Sequence, residues 1–246
     1  MQEVCIVVPC YNEARRLHGS AFTAFLDAHP TCDLTFVDDG SVDGTREVLE
    51  RLRQSRPGRI IVHALSANAG KAAAVRAGVQ HVVQLGRWPF VGYWDADLST
   101  PLDEVDRLVT VLREDSTRAL ALGSRVKRLG ASIERRISRD LIGRTFAACA
   151  SGILGASIHD SQCGAKVFRA DMASVFFDDP FLTTWLFDLE MLMRLRNLAG
   201  PHGLAAVEVP LGRWEEVGGS KLRLRDMLYV PFELLAIWRR YNLPPR

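Results

Sequence analysis

The sequence PFVGYWDAD, residues 89–97, joins an apolar run to two acidic residues. The apolar part has the length and composition of a buried strand. Asp95 and Asp97 follow it directly, and two carboxylates at this spacing can share one hard divalent cation such as Mg²⁺ or Mn²⁺. A solvated loop is the common alternative for such a pair alone. We predict a metal site at Asp95 and Asp97, with Asp97 the more direct ligand.

Two earlier apolar runs also end in polar residues. Residues 4–8 lead into Pro9-Cys-Tyr-Asn-Glu13, and residues 33–37 lead into Asp38-Asp39-Gly-Ser. The carboxyl ends of parallel strands meet at one edge of an open α/β sheet, where ligands bind. Stretches with apolar residues at helical spacing separate the runs. The pattern predicts an α/β fold with an open, twisted, mostly parallel sheet flanked by helices.

Composition bounds the class of protein. The chain has 246 residues, a net charge of +2 and 48% hydrophobic residues, which suits one soluble domain and gives no case for nucleic acid as a partner. Its five scattered cysteines suggest neither a zinc site nor a disulfide framework. The chain opens into a strand, and no run is long enough for a transmembrane segment. We therefore expect no signal peptide and a cytoplasmic location, either free or peripheral on the membrane face.

The order of these motifs resembles the family 2 inverting glycosyltransferases, which transfer sugars from nucleotide sugars and have the Rossmann-like GT-A fold. The resemblance is tight over residues 1–125. It implies a single domain in which residues 1–125 bind the nucleotide sugar and residues 126–221 bind the acceptor. Residues 222–246 would then form a C-terminal helical segment at the membrane surface.

The same resemblance implies which residues bind the donor. Asp39 corresponds to the acid that reads the nucleobase, and Asn68-Ala-Gly-Lys71 resembles the family's segment beside the donor. It is not a Walker A loop, because the earlier glycine is absent and Ala72 replaces Ser or Thr. A solvated lysine at a helix start is the alternative for Lys71. The predicted nucleotide-binding residues are Pro9, Tyr11, Glu13, Asp39, Lys71, Asp95, Arg213 and Lys221.

Downstream motifs narrow the resemblance. Asp160-x-Gln-Cys-Gly-Ala-Lys-Val-Phe168, Trp185 to Glu190, and Trp214-Glu-x-x-Gly-Gly-Ser-Lys-Leu222 are similar to the subgroup that transfers sugars to polyprenyl phosphates, above all the dolichyl-phosphate glucosyltransferases. UDP-glucose is the implied donor, and GDP-mannose with a mannosyltransferase is the alternative. The Q-x-x-R-W signature of processive synthases is absent. A nucleotidyltransferase lacks support because no glycine-rich loop follows the first strand, and a binding module without turnover stays open.

The chemical group on the acceptor determines which downstream residues would bind it or act in catalysis. A phosphate acceptor is already anionic, so it needs cations to hold it rather than a base. Arg125, Arg135, Arg139 and Gln162 are the predicted acceptor-binding residues, with a solvated basic face as the alternative. A hydroxyl acceptor would instead need Asp188 as base; otherwise this acid makes a structural hydrogen bond. The predicted catalytic residues are Asp97, Arg125 and Asp188.

The second half is expected to contain helices at 133–150 and 184–198 and a strand at 204–209. Residues 222–241 interleave large apolar residues with arginines, which suits a membrane interface. Core packing or a homodimer face would explain the same pattern. Pro231 is expected to break a continuous helix there.

Overall fold

A seven-stranded sheet organises the part of the chain that the computed structural model describes, residues 3–134, 137–199, 204–217 and 224–243. In chain order the strands are β1 (Val4–Cys10), β2 (Cys32–Asp38), β3 (Ile60–Ala64), β4 (Phe90–Trp94), β5 (Leu120–Ser124), β6 (Ser132–Glu134), β7 (Ala165–Arg169), β8 (Ala206–Pro210) and β9 (Arg213–Glu215). The main sheet has the order β3-β2-β1-β4-β7-β5-β8. Only β7 runs antiparallel to its two neighbours in this sheet. The single-domain, mostly parallel α/β fold is confirmed.

Helices cover both faces of the sheet. They are α1 (Gly19–Ala28), α2 (Thr45–Ser55), α3 (Lys71–Leu85), α4 (Val105–Glu114), α5 (Ile137–Leu154), α6 (Ala173–Phe177), α7 (Phe187–Ala199) and α8 (Leu224–Asn242). Side chains of α1, α2 and α4 pack in one apolar cluster, and those of α3, α5, α6 and α7 pack in another. Alternate residues of β1 belong to the two clusters, since successive strand side chains point to opposite faces.

The polar ends of three strands meet as expected. β1 pairs in parallel with both β2 and β4, so that Val7 lies opposite Thr35 on one side and Tyr93 on the other. The residues that follow these strands therefore gather at the carboxyl edge of the sheet. This edge contains the motifs from which the nucleotide site was predicted.

Two expectations about secondary structure are wrong. Residues 133 and 134, expected to begin a helix, instead belong to β6, which pairs in parallel with β9, and the helix begins only at Ile137. The backbone N–H of Ser132 donates to the carbonyl of Gly212 at 2.9 Å, and Ile133 pairs with the buried Trp214. This pairing satisfies backbone groups that a helical start would leave free.

The C-terminal segment is a continuous helix, contrary to the expected break at Pro231. Pro231 is exposed, so its ring faces away from the packed side of α8. Ile237 on that packed side is fully buried, and Tyr241 donates a 2.9 Å hydrogen bond to Glu190 of α7. Contacts with α7 outweigh the one backbone hydrogen bond that proline removes.

Acidification will destabilise the fold through His63 on β3, whose ring stacks on His81 of α3 with centroids 4.8 Å apart. Burial first, and His81 second, lower the pKa of His63 below its ordinary 6.5. The unfolded chain therefore takes up its proton first, so this contribution to stability is present above pH 6.5 and lost as the pH falls. Urea unfolding across this range should show a smaller pH dependence in His63→Gln. Equal dependence in both proteins would contradict the assignment.

Candidate active site

The acid pair lies where predicted, in the turn after β4. The carboxylate of Asp97 accepts a 3.0 Å hydrogen bond from the backbone N–H of Ser99. Leu98, which lies between Asp97 and Ser99, has a φ of 54°, a left-handed conformation that closes the turn. Asp95 Oδ1 lies 2.5 Å from Nζ of Lys71, the first residue of α3. Both acids are partly exposed at the edge of the sheet.

The carboxylate oxygens of Asp95 and Asp97 are suited to binding a divalent cation. Carboxylate oxygens are the ligands that Mg²⁺ prefers, and a site with two of them leaves other positions for phosphate and water. Within residues 3–134, 137–199, 204–217 and 224–243, no three or more His, Cys, Asp or Glu side chains gather into a metal-binding group. A cation held by Asp95 and Asp97 would therefore complete its coordination with oxygens from a ligand or water.

Gly164 shapes the position of Asp95. The Asp95 N–H donates to the carbonyl of Gly164 at 3.0 Å, and a Cβ built on Gly164 would lie 1.9 Å from Oδ2 of Asp95. Any larger residue would have to displace the Asp95 carboxylate. Sequence reasoning used Gly164 only as part of a subgroup motif. The contact arises because β7 pairs with β4, with Ala165 opposite Trp94.

Asp39 anchors a loop of the protein, in addition to its predicted contact with the nucleobase. Its buried carboxylate accepts hydrogen bonds from Asn68 Nδ2 at 3.0 Å and from the backbone N–H groups of Ala69 at 2.8 Å and Gly70 at 3.0 Å. Burial raises the pKa of Asp39, against the opposing effect of the two N–H donors. Asp39 thus fixes the loop that leads into Lys71. Its role in reading a base stays a prediction.

The Pro9 to Glu13 segment is tied to the loop after β2. Asn12 has a φ of 51°, its N–H donates to Ser41 Oγ at 3.1 Å, and its Oδ1 accepts from the Val42 N–H at 3.0 Å. Pro9 and Tyr11 are partly exposed, whereas Glu13 is buried. The segment lines the same edge as Asp39, but its predicted contacts with a nucleotide remain predictions.

A buried ion pair holds Asp188. Nζ of Lys166 lies 2.6 Å from Asp188 Oδ1 and 2.7 Å from the carbonyl oxygen of Cys163. The Tyr93 hydroxyl donates to the same Asp188 oxygen, and the Lys166 side chain is fully buried. The structural hydrogen bond considered for Asp188 is therefore present, in the form of an ion pair. Its role as a base stays a prediction.

Lys166 and Tyr93 were missed as site residues. The available signal was a lysine inside the apolar strand sequence Ala-Lys-Val-Phe, because lysine is almost never fully buried without a partner. The sequence could not name that partner, since Asp188 lies on α7, a different element from β7.

Lys71 links the two groups of acids. Burial alone would lower the pKa of Lys71, but the charges of Asp95, Asp188 and Asp97 outweigh it and raise the pKa. Nζ of Lys71 also lies 5.8 Å from the centre of the Phe187 ring. The predicted donor residues Lys71, Asp95 and Asp97 thus lie together with the predicted base Asp188.

Arg125 forms an ion pair with Asp160. Its Nε and Nη2 each lie 2.6 Å from the Asp160 carboxylate oxygens, and its guanidinium lies 5.5 Å from the Trp214 ring centre. This pairing occupies the Nε and Nη2 edge of the guanidinium. Arg125 is also within electrostatic reach of Asp95. Nearby in the chain, Ser124 Oγ, Ser161 Oγ and Gln162 Nε2 are buried atoms that make no hydrogen bond in the part of the chain that the structure describes.

The other predicted cations are less informative. Arg213 is exposed, and its Nη2 lies 3.3 Å from Asp103 at the surface. Arg135 and Lys221 lie outside the described residues. Arg139 belongs to α5, where only its backbone is described. Their predicted contacts with donor or acceptor stay predictions.

This edge of the sheet brings together the acid pair Asp95 and Asp97, the lysine at the start of α3, and a second lysine–aspartate pair. Residues 5–177 match the family described as Glycosyl transferase family 2. The chain belongs to the family 2 glycosyltransferases, and it is a hexosyltransferase with the GT-A fold.

Individual relatives agree with this assignment. The chain is 31% identical over 245 residues to a dolichyl-phosphate beta-glucosyltransferase of Trichomonas vaginalis, covering 94% of this chain and 69% of the relative. It is 31% identical to the Drosophila melanogaster dolichyl-phosphate beta-glucosyltransferase, covering 97% of this chain and 75% of that protein. The Mycobacterium tuberculosis glucosyl-3-phosphoglycerate synthase, crystallised with Mn²⁺, UDP and glucosyl-3-phosphoglycerate, superposes with a TM-score of 0.70 at 17% identity over 99% of this chain and 81% of that one.

Replacing Gly164 by alanine will disturb Asp95 without changing any charge. The added Cβ must push the carboxylate out of its present position. We expect UDP binding in the presence of Mn²⁺ to weaken at least about tenfold, since small displacements of a binding group have large effects. Isothermal titration calorimetry measures this, after thermal melting has shown that the variant is folded.

Gly152→Ala is the matched control for this variant. A Cβ on Gly152 in α5 would have no neighbour within 4 Å, and alanine favours a helix over glycine. The control should bind UDP as the wild type does. Wild-type UDP affinity in Gly164→Ala would contradict the role assigned to this glycine.

Proposed function

We propose that this enzyme transfers glucose from UDP-glucose to a polyprenyl phosphate such as dolichyl phosphate, with inversion at the anomeric carbon and with a divalent cation. The likeness to dolichyl-phosphate beta-glucosyltransferases over at least 94% of the chain carries the proposal. That likeness extends beyond residue 177, where the general family match ends, and so includes the downstream motifs. A synthase of the same fold crystallised with UDP and Mn²⁺ supports this donor and this metal.

The state of Asp188 supports a phosphate acceptor. A hydroxyl acceptor must lose a proton during transfer, so it needs a carboxylate that is available as a base. Oδ1 of Asp188 instead accepts hydrogen bonds from Lys166 and Tyr93 in a buried setting. A phosphate acceptor needs no such base, since it is an anion already. It needs a group that holds its charge, and we assign this role to Arg125.

The cation brings one form of chemistry to this reaction: it neutralises the negative charge that develops on the leaving diphosphate. Asp95 and Asp97 would hold it. Lys71 adds a positive charge beside them, and Gly164 keeps the Asp95 carboxylate in position.

The acceptor can be identified with pairs of substitutions that remove opposite charges together. Arg125→Gln with Asp160→Asn leaves no unpaired buried charge, and neither does Lys166→Met with Asp188→Asn. With radiolabelled UDP-glucose, Mn²⁺ and a short polyprenyl phosphate, the first double variant should lose at least about tenfold in transfer, because the cation that holds the acceptor is gone. The second should lose much less. The product should be a sugar phosphate that mild acid cleaves.

The opposite ranking would overturn the acceptor assignment. If the Asp188 double variant abolishes transfer and the Arg125 double variant is tolerated, the acceptor is a hydroxyl group. Preferred transfer of mannose from GDP-mannose over glucose from UDP-glucose would likewise overturn the donor assignment. A protein that binds UDP-glucose but never releases UDP would be a binding module rather than an enzyme.

A membrane-bound acceptor requires contact with a bilayer, and we assign that contact to the outer face of α8. Tyr229 and Phe232 are 62% and 69% exposed, and Leu235 and Trp238 are each 41% exposed. Arg239 and Arg240 are also exposed on this helix. Aromatic residues and arginines together on one helix face suit the interface of an anionic bilayer. None of the described helices has the length and apolar content to cross a membrane.

The outer face of α8 borders a groove. The groove has a volume of about 430 Å³ and lies between residues 182–185 and α8, where Tyr229, Phe232, Glu233 and Ala236 line it. Glu233 accepts hydrogen bonds from Thr184 and from the N–H of Leu186, which attaches the helix to this segment. The segment continues directly into Phe187 beside Lys71. We propose this groove as the binding place of the acceptor's polyprenyl chain.

Removing the apolar side chains of this face will reduce binding to vesicles. Phe232→Ser with Trp238→Ser should lower the fraction that sediments with phosphatidylcholine–phosphatidylserine vesicles at least about fivefold, because burial of aromatic surface in the interface is lost. Val42→Ser with Leu85→Ser removes exposed apolar residues on other elements and should leave binding unchanged. Equal effects of both double variants would contradict the assignment. A change of oligomeric state in the α8 variant alone would identify a dimer face instead.

A further inference from the structure

Two lysine–aspartate pairs lie at the carboxyl edge of the sheet, and they differ in their access to solvent. The side chains of Lys166 and Asp188 are 0% and 5% exposed. Those of Lys71 and Asp95 are 33% and 39% exposed. A buried pair is fixed, because breaking it would leave an uncompensated charge in a region of low dielectric. A pair that is partly open to solvent is held less firmly and can be exchanged for other partners.

The exchangeable pair contains an acid that a metal would need. Asp95 Oδ1 is already within 2.5 Å of a cation, the ammonium group of Lys71. A divalent cation arriving at Asp95 and Asp97 therefore competes with Lys71 for this oxygen. Because two cations would then share a small region, metal binding alone is opposed both by loss of the ion pair and by like-charge repulsion.

We infer that, during donor binding, Lys71 breaks its contact with Asp95 and pairs with the diphosphate of the nucleotide instead. Metal and nucleotide therefore bind this site cooperatively. The inference rests on the proposed function, since it takes a nucleoside diphosphate and a divalent cation as ligands. The diphosphate supplies the new partner for Lys71, and Asp95 then becomes available to the metal. By linkage, each ligand raises the affinity for the other.

Local structure suits Lys71 to this exchange. Its backbone is held at the start of α3 by the loop that Asp39 anchors through Ala69 and Gly70. Its side chain is flexible and carries a single charge at its end. Asp188 and Asp97 also attract the ammonium group, which keeps it within the site when it leaves Asp95. Thus the backbone is fixed while the charged group can move between partners.

The experiment measures Mn²⁺ binding by calorimetry in wild type and in Lys71→Met, first without nucleotide and then with UDP. Without nucleotide, Lys71→Met should bind Mn²⁺ at least about fivefold more tightly than wild type, because its competitor at Asp95 is gone. UDP alone should bind more weakly to the variant, because a cation for the diphosphate is lost. Hence the factor by which UDP strengthens Mn²⁺ binding should be smaller in Lys71→Met than in wild type.

Two further variants separate the effect of charge position from other effects. Lys127→Met removes an exposed lysine outside the site and should bind Mn²⁺ as the wild type does. Lys71→Arg keeps the positive charge beside Asp95 and should not show the gain in Mn²⁺ affinity. Circular dichroism establishes that each variant is folded, and an unfolded Lys71→Met would be replaced by Lys71→Gln.

The outcomes distinguish this inference from the proposed function. If UDP and Mn²⁺ bind together to wild type, but Lys71→Met has the same or weaker Mn²⁺ affinity without nucleotide, partner exchange is wrong and the proposed function stands. If wild type binds no Mn²⁺ even with UDP, both fail. A gain of Mn²⁺ affinity in Lys127→Met equal to that in Lys71→Met would also overturn the inference, because overall charge would then explain it.

Discussion

The site depends on the pairing of β7 with β4. This antiparallel strand lies between β4 and β5, so it joins the part of the sheet formed by β1 to β4 to the part formed by β5 and β8. Its register places Ala165 opposite Trp94 and Lys166 opposite Tyr93. Gly164 thereby meets Asp95, and Lys166 comes beside the Tyr93 hydroxyl and Asp188. Without this pairing, the acid pair after β4 would be an ordinary loop with no fixed geometry.

Charges at the sheet edge are held in two ways. Lys166, Asp188 and Tyr93 form a buried group that is satisfied within the protein and specifies how α7 packs on the sheet. Lys71, Asp95 and Asp97 lie closer to solvent, with side chains that a ligand can reach. The buried group limits the movement of the exposed one, because Phe187, which lies beside Lys71, directly precedes Asp188 in the chain. The fixed ion pair of Lys166 and Asp188 thus lies next to the Lys71–Asp95 pair, whose partners a ligand can change.

Local sequence signals were sufficient for the first half of the fold. An apolar run followed by Asp95 and Asp97 predicts a strand and its polar end without knowledge of anything distant, and the same is true of the runs before Glu13 and Asp39. Prediction failed where distant segments decide the structure. β6 exists because it pairs with β9, and α8 continues through Pro231 because contacts with α7 support it.

The partners within the site were unpredictable for the same reason. Lys166 could be recognised as an unusual strand residue, but its ion pair with Asp188 depends on the packing of α7. Arg125 was identified as a candidate for an anion, whereas its bidentate contact with Asp160 follows from the loop before β7. Sequence patterns identify which side chains carry chemistry. The distances between them come from long-range packing, which a periodic pattern does not encode.

The balance of charge at this edge is consistent with the proposal that the donor binds together with a cation. Among the described side chains there, carboxylates outnumber cations, and the guanidinium of Arg125 and the ammonium of Lys166 are already paired with acids. A diphosphate that approaches Asp95 and Asp97 without a cation would be repelled by these two carboxylates. A divalent cation bound with the donor would offset the negative charge of Asp95 and Asp97. The acid pair would therefore disfavour the donor diphosphate alone and favour the donor together with its cation.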